Sequence, residues 1–489
     1  MLLRFFKKSL LVPFLLAFYF FAEAQIKLDI QWDHPVMVSR SVPTLQVVVN
    51  PPLRKGSVIH DPSFAALKSL GADYVRYVPW LPYPRLGVAE LDPPDDQKTS
   101  WDFSLIDPMT IDFLEATKGH PVILNFSTIP QWMYATGKQV LYPKDPNEVS
   151  WNYSQGNTLT DSSCKQVTDY YSRLYSWYTE GGFTDELGKY HASGHHYDIP
   201  YWEILNEPDL EHQPTPEQYT REYDAIVSGI KKLSPKTKFV GMALAYETDP
   251  HWFAYFLNPA HHQKGIPLDM ISYHFYATST AGQTIDDMQF TYFERADGFL
   301  NSVRYIENLR KTLTPDTKTT IDEVGSILHN EEAPIPDLYW NLSGALYAYL
   351  YLQLTMLGID IIGESQLVGY PGQFPSVSMI DWKNGNPNAR FNVLKLLKDN
   401  FGPGDILVKT ELDQDPSGAI SAQGFLTSKE KKILLVNKRN KSYTIFLPDG
   451  FKAAKMSMVD LYSNKEGSMI APGTNLLELT PFEVAIISK

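Results

Sequence analysis

Short β-rich runs, each followed by a stretch with helical spacing, predict an α/β chain: a (β/α)8 TIM barrel with an accessory antiparallel β-sandwich domain. Three observations carry that prediction. Seven such runs recur between residues 72 and 367. They are near-continuously apolar, as strands buried on both faces are. After about Gly402 the texture changes to alternating runs broken by Gly, Pro, Asn and Asp, the pattern of a half-exposed antiparallel sheet.

The chain opens with "MLLRFFKKSLLVPFLLAFYFFAEAQ", in which Arg4, Lys7 and Lys8 precede an apolar run and Ala22-Glu23-Ala24 precedes Gln25. This is the layout of a secretory signal over residues 1–24, giving an exported protein, periplasmic, cell-surface or secreted. The run from Ser9 to Phe21 is shorter than the roughly 20 residues of a membrane span, so no stable membrane insertion is expected after cleavage. Cys164 is the only cysteine, so no intrachain disulfide is available. Losing the signal takes the net charge from −13 to −15, which argues against nucleic acid or anionic membrane as partner.

"IKLDIQWDHPVMVS" is read as β-structure that joins the C-terminal sheet, so residues 25–55 are assigned to the β-domain. The barrel is placed over residues 56–402. Its strands are expected at 72–80, 120–130, 199–208, 238–246, 268–277, 318–326 and 358–367, with an eighth, short one near Ser100 to Phe103. Between them lie helical stretches such as Thr215 to Leu233, which begins with Thr-Pro-Glu, and Leu338 to Leu357 with its Tyr, Leu and Ala rows. "KKILLVNKRN", "SYTIFLP" and "NLLELTPFEVAIISK" then supply strands of a β-sandwich over 403–489.

A barrel of this kind keeps its chemistry at the C-terminal ends of its strands. "YWEILNEPDL" ends an apolar run with Asn206, Glu207 and Pro208, and "TTIDEVGS" delivers Asp322 and Glu323 at another strand exit. No zinc-type Cys/His spacing, phosphate-binding glycine loop or GxSxG elbow occurs, so carboxylate chemistry is best supplied and no metal or other cofactor is expected. Two glutamates at strand exits suit glycosidic bond cleavage, with one protonating the leaving oxygen and the other acting across the anomeric carbon. Alternation along a strand sends Asp322 and Glu323 to opposite faces, so only one is expected to look into the barrel, and Glu323 is preferred. The 10 Trp, 29 Tyr and 25 Phe fit sugar stacking as well as barrel filling.

The motifs "LGADYVRYV", "FSLIDPMTIDFL", "WEILNEPDL", "DMISYHFYA", "TTIDEVGS" and "GNPNARFNVLKLL" occur in this order, with a β-domain after them. Together they resemble glycoside hydrolase family 39, the β-xylosidase and α-L-iduronidase group, within the (β/α)8-barrel clan A. The resemblance implies a retaining glycosidase in which Glu207, ending strand four, is acid/base and Glu323, ending strand seven, is nucleophile. Asn206 would contact the sugar hydroxyl next to the anomeric carbon. Tyr276 resembles the clan tyrosine that hydrogen-bonds the nucleophile, and His274 would line the sugar site. Arg76, placed on the first strand, either holds Glu323 ionised or pairs with Glu203 inside the barrel. Trp80, Trp132 and Tyr134 follow strand exits and are candidates for stacking on sugar. Glu364 either contacts substrate or is buried with Arg390. Val78 stands where the family usually has a His, and the eighth-strand exit "IIGESQLVGYPGQ" lacks the expected aromatic pattern, which points to a sugar other than xylose or a uronic acid. The substrate class implied is an oligosaccharide or polysaccharide. The rivals are an endo-glycanase or arabinofuranosidase of the same clan, and a catalytically silent carbohydrate-binding barrel.

Overall fold

The structure, a computed structural model, describes residues 26–489 apart from 331–333, 416, 452–453, 462–463 and 470–474. The expected signal segment, 1–24, lies outside the described residues. Eight parallel strands close into a barrel: Val42–Val48, Val75–Val78, Val122–Leu124, Tyr201–Glu203, Lys238–Leu244, Met270–Tyr273 with its continuation Phe275–Thr278, Lys318–Ile327 and Ile361–Glu364. The eighth strand pairs with the first, Ile361 opposite Val42 and Glu364 opposite Leu45. The sixth pairs with the seventh, which completes the ring.

The first barrel strand is therefore Val42–Val48, inside the stretch assigned from sequence to the β-domain, and the barrel does not begin at residue 56. The strand expected near Ser100 is absent; Trp101 makes only an isolated bridge to Glu90. Arg76 consequently sits on strand two. "VPTLQVV" is apolar enough for either domain, and only its parallel partners on strands two and eight, far off in sequence, assign it to the barrel. Because one strand was missed and one wrongly expected, Glu207 still follows strand four and Glu323 still lies on strand seven.

Helices form where the sequence caps them. Pro216–Leu233 starts at Thr215, whose side chain accepts from the Gln218 N–H while Gln218 accepts from the Thr215 N–H, a capping box that satisfies two donors at the helix end. Asp337–Leu357 is buried on nearly every face. Its outer side meets strands of the β-domain, so it packs as an interior helix and carries no polar stripe.

The β-domain is one continuous nine-stranded sheet, antiparallel except for a short parallel pairing of Ile26 and Lys27 with Ile445 and Phe446. Strand Ile26–Val38 enters it against Ile406–Asp413. Residues from strands toward both ends of the order, including Leu479 and Ile487, share one apolar cluster with Ile26, Leu28 and Ile433. The sheet thus folds over itself, and its halves face each other as the layers of a sandwich do. Its other buried residues, Phe425, Leu434, Val436, Val484 and Ile486, belong to the same apolar cluster as the barrel and its helices.

Candidate active site

Two β-bulges at the barrel's C-terminal end aim the carboxylates. On strand seven, Ile321 opposes Ile362 and Val324 opposes Glu364, so three residues on one strand match two on the other. The extra residue breaks the alternation that would send Asp322 outward, and both Asp322 and Glu323 reach the barrel interior. The expectation that only one of them looks inward is corrected. Gly363 opposite the bulge has no room for a side chain, since a Cβ there would lie 2.9 Å from the Asp322 carbonyl oxygen. On strand five the register slips between Met242 and Leu244, and Met242 and Ala243 adopt positive φ of 78° and 45°. The slip turns the Ala243 carbonyl toward strand four, where it accepts the Glu207 N–H at 2.8 Å. Glu207 itself has φ 40° and Leu205 φ 63°, left-handed conformations that non-glycine residues hold only where the surroundings enforce them.

Arg76 is fully buried and lies at the centre. Its Nε donates to Glu203 Oε2 (2.5 Å), Nη1 to Glu323 Oε1 (2.5 Å) and Gln46 Oε1 (2.9 Å), and Nη2 to Asn206 Oδ1 (2.6 Å). Arg76 therefore pairs with Glu203 and Glu323 at once. With no exposed surface it positions the groups that line the cleft and does not bind substrate, which corrects its assignment to the binding set. Burial pushes the Glu203 carboxyl up to about 8 against the pull of Arg76. Burial also opposes ionisation of Asp322, but Arg76, His274 and a hydrogen bond from Ser272 outweigh it and hold Asp322 down at about 2.

Tyr276 donates to Glu323 Oε2 at 2.5 Å and shares a hydrogen bond with Ser365 Oγ at 2.5 Å. His274 Nδ1 lies 2.9 Å from Glu207 Oε1 and 3.6 Å from Glu323 Oε1, and Nε2 lies 3.4 Å from Asp322 Oδ1. Burial works against a charged imidazole, yet the surrounding carboxylates Glu323, Asp322 and Glu207 overcome it and raise the His274 pKa well above its ordinary value. Glu207, His274 and Glu323 each present one atom within 4.8 Å of the others, a spacing a metal ion could bridge.

These groups open into a cleft of about 820 Å³, lined by Asn206, Glu207, His274, Tyr276 and Glu323. Trp80, Trp151 and Phe374 form one wall, with Trp80 5.3 Å from Trp151 and 6.4 Å from Phe374 between ring centroids. Val48 and Val78 line it beside them. Phe374 supplies the aromatic ring that the eighth-strand exit lacks locally, ten residues beyond the strand.

Besides Arg76, three expected site residues are not in the cleft. Trp132 is partly buried against the core and its Nε1 donates to the Glu90 carbonyl, so it is a packing residue. Tyr134 is buried and stacks on His212 at 4.1 Å. Glu364 is fully buried and accepts from Arg390 Nε at 2.9 Å, so the ion-pair reading holds and the substrate contact does not. Trp132 and Tyr134 lie on and just after the short turn Gln131–Met133 beyond strand three, whereas Glu364 is the last residue of strand eight itself. Sequence reasoning also passed over Gln46, Trp151, Phe374 and Glu211. The Glu211 N–H returns to the Glu207 carbonyl at 2.8 Å, an i to i+4 turn that the spacing after Pro208 could have suggested.

Residues 187–334, which contain both glutamates, match the family model described as glycosyl hydrolases family 39. No curated protein sequence matches the chain. Among solved structures, the chain is similar to a GH51 arabinofuranosidase from Xanthomonas axonopodis pv. citri, at TM-score 0.63 and 12% identity over 95% of this chain and 99% of that one. It is similar to a GH30 endoxylanase from Clostridium papyrosolvens, at TM-score 0.58 and 13% identity over 95% and 99%. A conserved exported protein from Bacteroides fragilis is similar at TM-score 0.63 and 12% identity over 95% and 100%. Such identities speak to the fold, and the family match speaks to the segment that carries the glutamates. Taken together, the match over residues 187–334 and the shared fold support a glycosidase that resembles family 39.

Proposed function

We propose that the protein is an exported, retaining glycosidase that cleaves O-glycosidic bonds of oligosaccharides or polysaccharides through a covalent glycosyl-enzyme. The observation that carries this reading is the spacing of the two carboxylates, whose nearest oxygens lie within 4.8 Å. Retaining enzymes hold their carboxyl groups about 5 to 5.5 Å apart, whereas inverting enzymes leave about 6.5 to 9.5 Å for a water. Glu323 attacks the anomeric carbon as the bond to the leaving oxygen breaks, and Glu207 gives that oxygen its proton. Glu207 then takes a proton from water, the water oxygen bonds to the anomeric carbon, and Glu323 leaves as a carboxylate. Arg76 and Tyr276 each place a donor on Glu323, one on each oxygen, which orients it for attack. The wall of Trp80, Trp151 and Phe374 offers flat apolar surface for a sugar ring.

Purified protein, tested against a panel of aryl glycosides and glycans with the product anomer followed by NMR, is expected to retain configuration. Glu323→Ala abolishes turnover and azide restores it as a glycosyl azide. Inversion of configuration, or full activity in Glu323→Ala, overturns the assignment.

A further inference from the structure

We infer that Glu211 is a positioning residue for this reaction, fixing the orientation of the Asn206 amide and the Trp80 indole. The inference rests on the glycosidase reading above. Asn206 lines the cleft beside Glu207 and is held at both ends of its amide. Oδ1 accepts from Arg76 Nη2 at 2.6 Å, and Nδ2 donates to Glu211 Oε1 at 2.8 Å. A guanidinium can only donate, and an amide nitrogen needs an acceptor, so the two neighbours leave the amide a single orientation. Its second N–H is then free to meet the sugar hydroxyl adjacent to the anomeric carbon.

The same Glu211 oxygen accepts the Trp80 Nε1 hydrogen at 2.7 Å. One carboxyl oxygen therefore ties the aromatic wall to the amide, and Asn206 passes the constraint through Arg76 to Glu323. Glu211 is in turn anchored by its own N–H on the Glu207 carbonyl. Burial, then the charge of Glu207, raises the Glu211 pKa well above the ordinary carboxylate range. A protonated carboxyl keeps its carbonyl oxygen, so Oε1 accepts both hydrogens in either state.

Without Glu211, Asn206 keeps only its tether to Arg76, its amide is free to swing, and the sugar's 2-hydroxyl goes without a fixed partner. The test compares wild type, Glu211→Ala and Glu211→Gln on an aryl glycoside that the enzyme turns over and on its 2-deoxy counterpart. Glu211→Ala is expected to lower kcat/KM about 10- to 100-fold on the parent and by less than about threefold on the 2-deoxy compound. Glu211→Gln, whose carbonyl accepts both hydrogens, is expected to stay within about threefold of wild type on both. If Glu211→Ala does not fold, Glu211→Asp, too short to reach both donors, is expected to show the same selective loss. Equal losses on the two compounds overturn the inference and leave the glycosidase reading intact. A wild-type protein that hydrolyses no glycoside overturns that reading.

Discussion

Arg76 shows how a single buried side chain organises this site. It bridges Glu203, Glu323, Gln46 and Asn206, with Asp322 at 3.6 Å, so its charge is shared by carboxylates that could not otherwise be buried together. Removing it as Arg76→Met strips Glu203 of its ion-pair partner in the buried cluster and is expected to cost about 3 to 5 kcal/mol in denaturant unfolding. Tyr276 makes a different contribution, because its uncharged hydroxyl lines the cleft and donates to Glu323, the proposed nucleophile. Tyr276→Phe is expected to lower kcat on an aryl glycoside about 10²-fold, the usual loss for one preorganised donor, while the protein remains folded. Unchanged kcat would remove Tyr276 from the mechanism.

The bulges show what an element adds beyond its residues. Strand seven brings two adjacent carboxylates inward only because its register slips between Ile321 and Val324, and Gly363 on strand eight makes room for the slip. Gly363→Ala puts a methyl against the Asp322 backbone, which is expected to destabilise the protein by about 1 to 3 kcal/mol and to lower kcat by shifting Glu323. Thermal unfolding and steady-state kinetics of that variant check both effects, and a variant with wild-type activity would show that the bulge does not set the nucleophile. Strand five acts on Glu207 in the same way through the Ala243 carbonyl. Tyr219, on helix Pro216–Leu233, braces that arrangement, since its hydroxyl accepts the Met242 N–H and donates to the Ile204 carbonyl.

Across the whole molecule, buried carboxyls set the response to pH. Burial pushes Glu90 and Glu203 up to about 8, Glu222 and Glu364 to about 7 and Asp209 to about 6. A carboxyl whose pKa is raised by folding keeps its proton in the folded chain while the unfolded chain has lost it. Stability therefore falls as pH rises from about 4.5, the ordinary glutamate value, to about 8. His274, raised above its ordinary 6.5, adds to this: its contribution is complete below that value and is lost as pH climbs toward its folded pKa. Asp322 opposes them only in acid, where its contribution is lost as pH drops from 3.8 toward 2. Melting temperatures between pH 5 and pH 8 are expected to decline, and Glu222→Gln, remote from the reacting groups, is expected to flatten the decline. A rise over that interval would contradict the assignment. The two domains also share one apolar cluster, so ending the chain after Gly402 is expected to expose helix Asp337–Leu357 and yield insoluble protein.

The sequence alone determined the barrel, the β-domain and the positions of Glu207, Glu323, Asn206, His274 and Tyr276 at strand exits. The barrel, the β-domain and the two glutamates rest on local pattern, that is, apolar runs of strand length, helical spacing between them and a motif ending in proline, while Asn206, His274 and Tyr276 enter through the family resemblance. It did not determine which end of the chain supplies the first barrel strand, because Val42–Val48 is defined by partners on strands two and eight. Nor did it determine that Asp322 turns inward, that Trp132 and Glu364 serve packing, or that Glu211 returns to the site. All of these depend on register slips and turns fixed by interactions between residues far apart in sequence. A strand's period of two predicts where its side chains point, and one extra residue, visible only in the paired strands, reverses the answer.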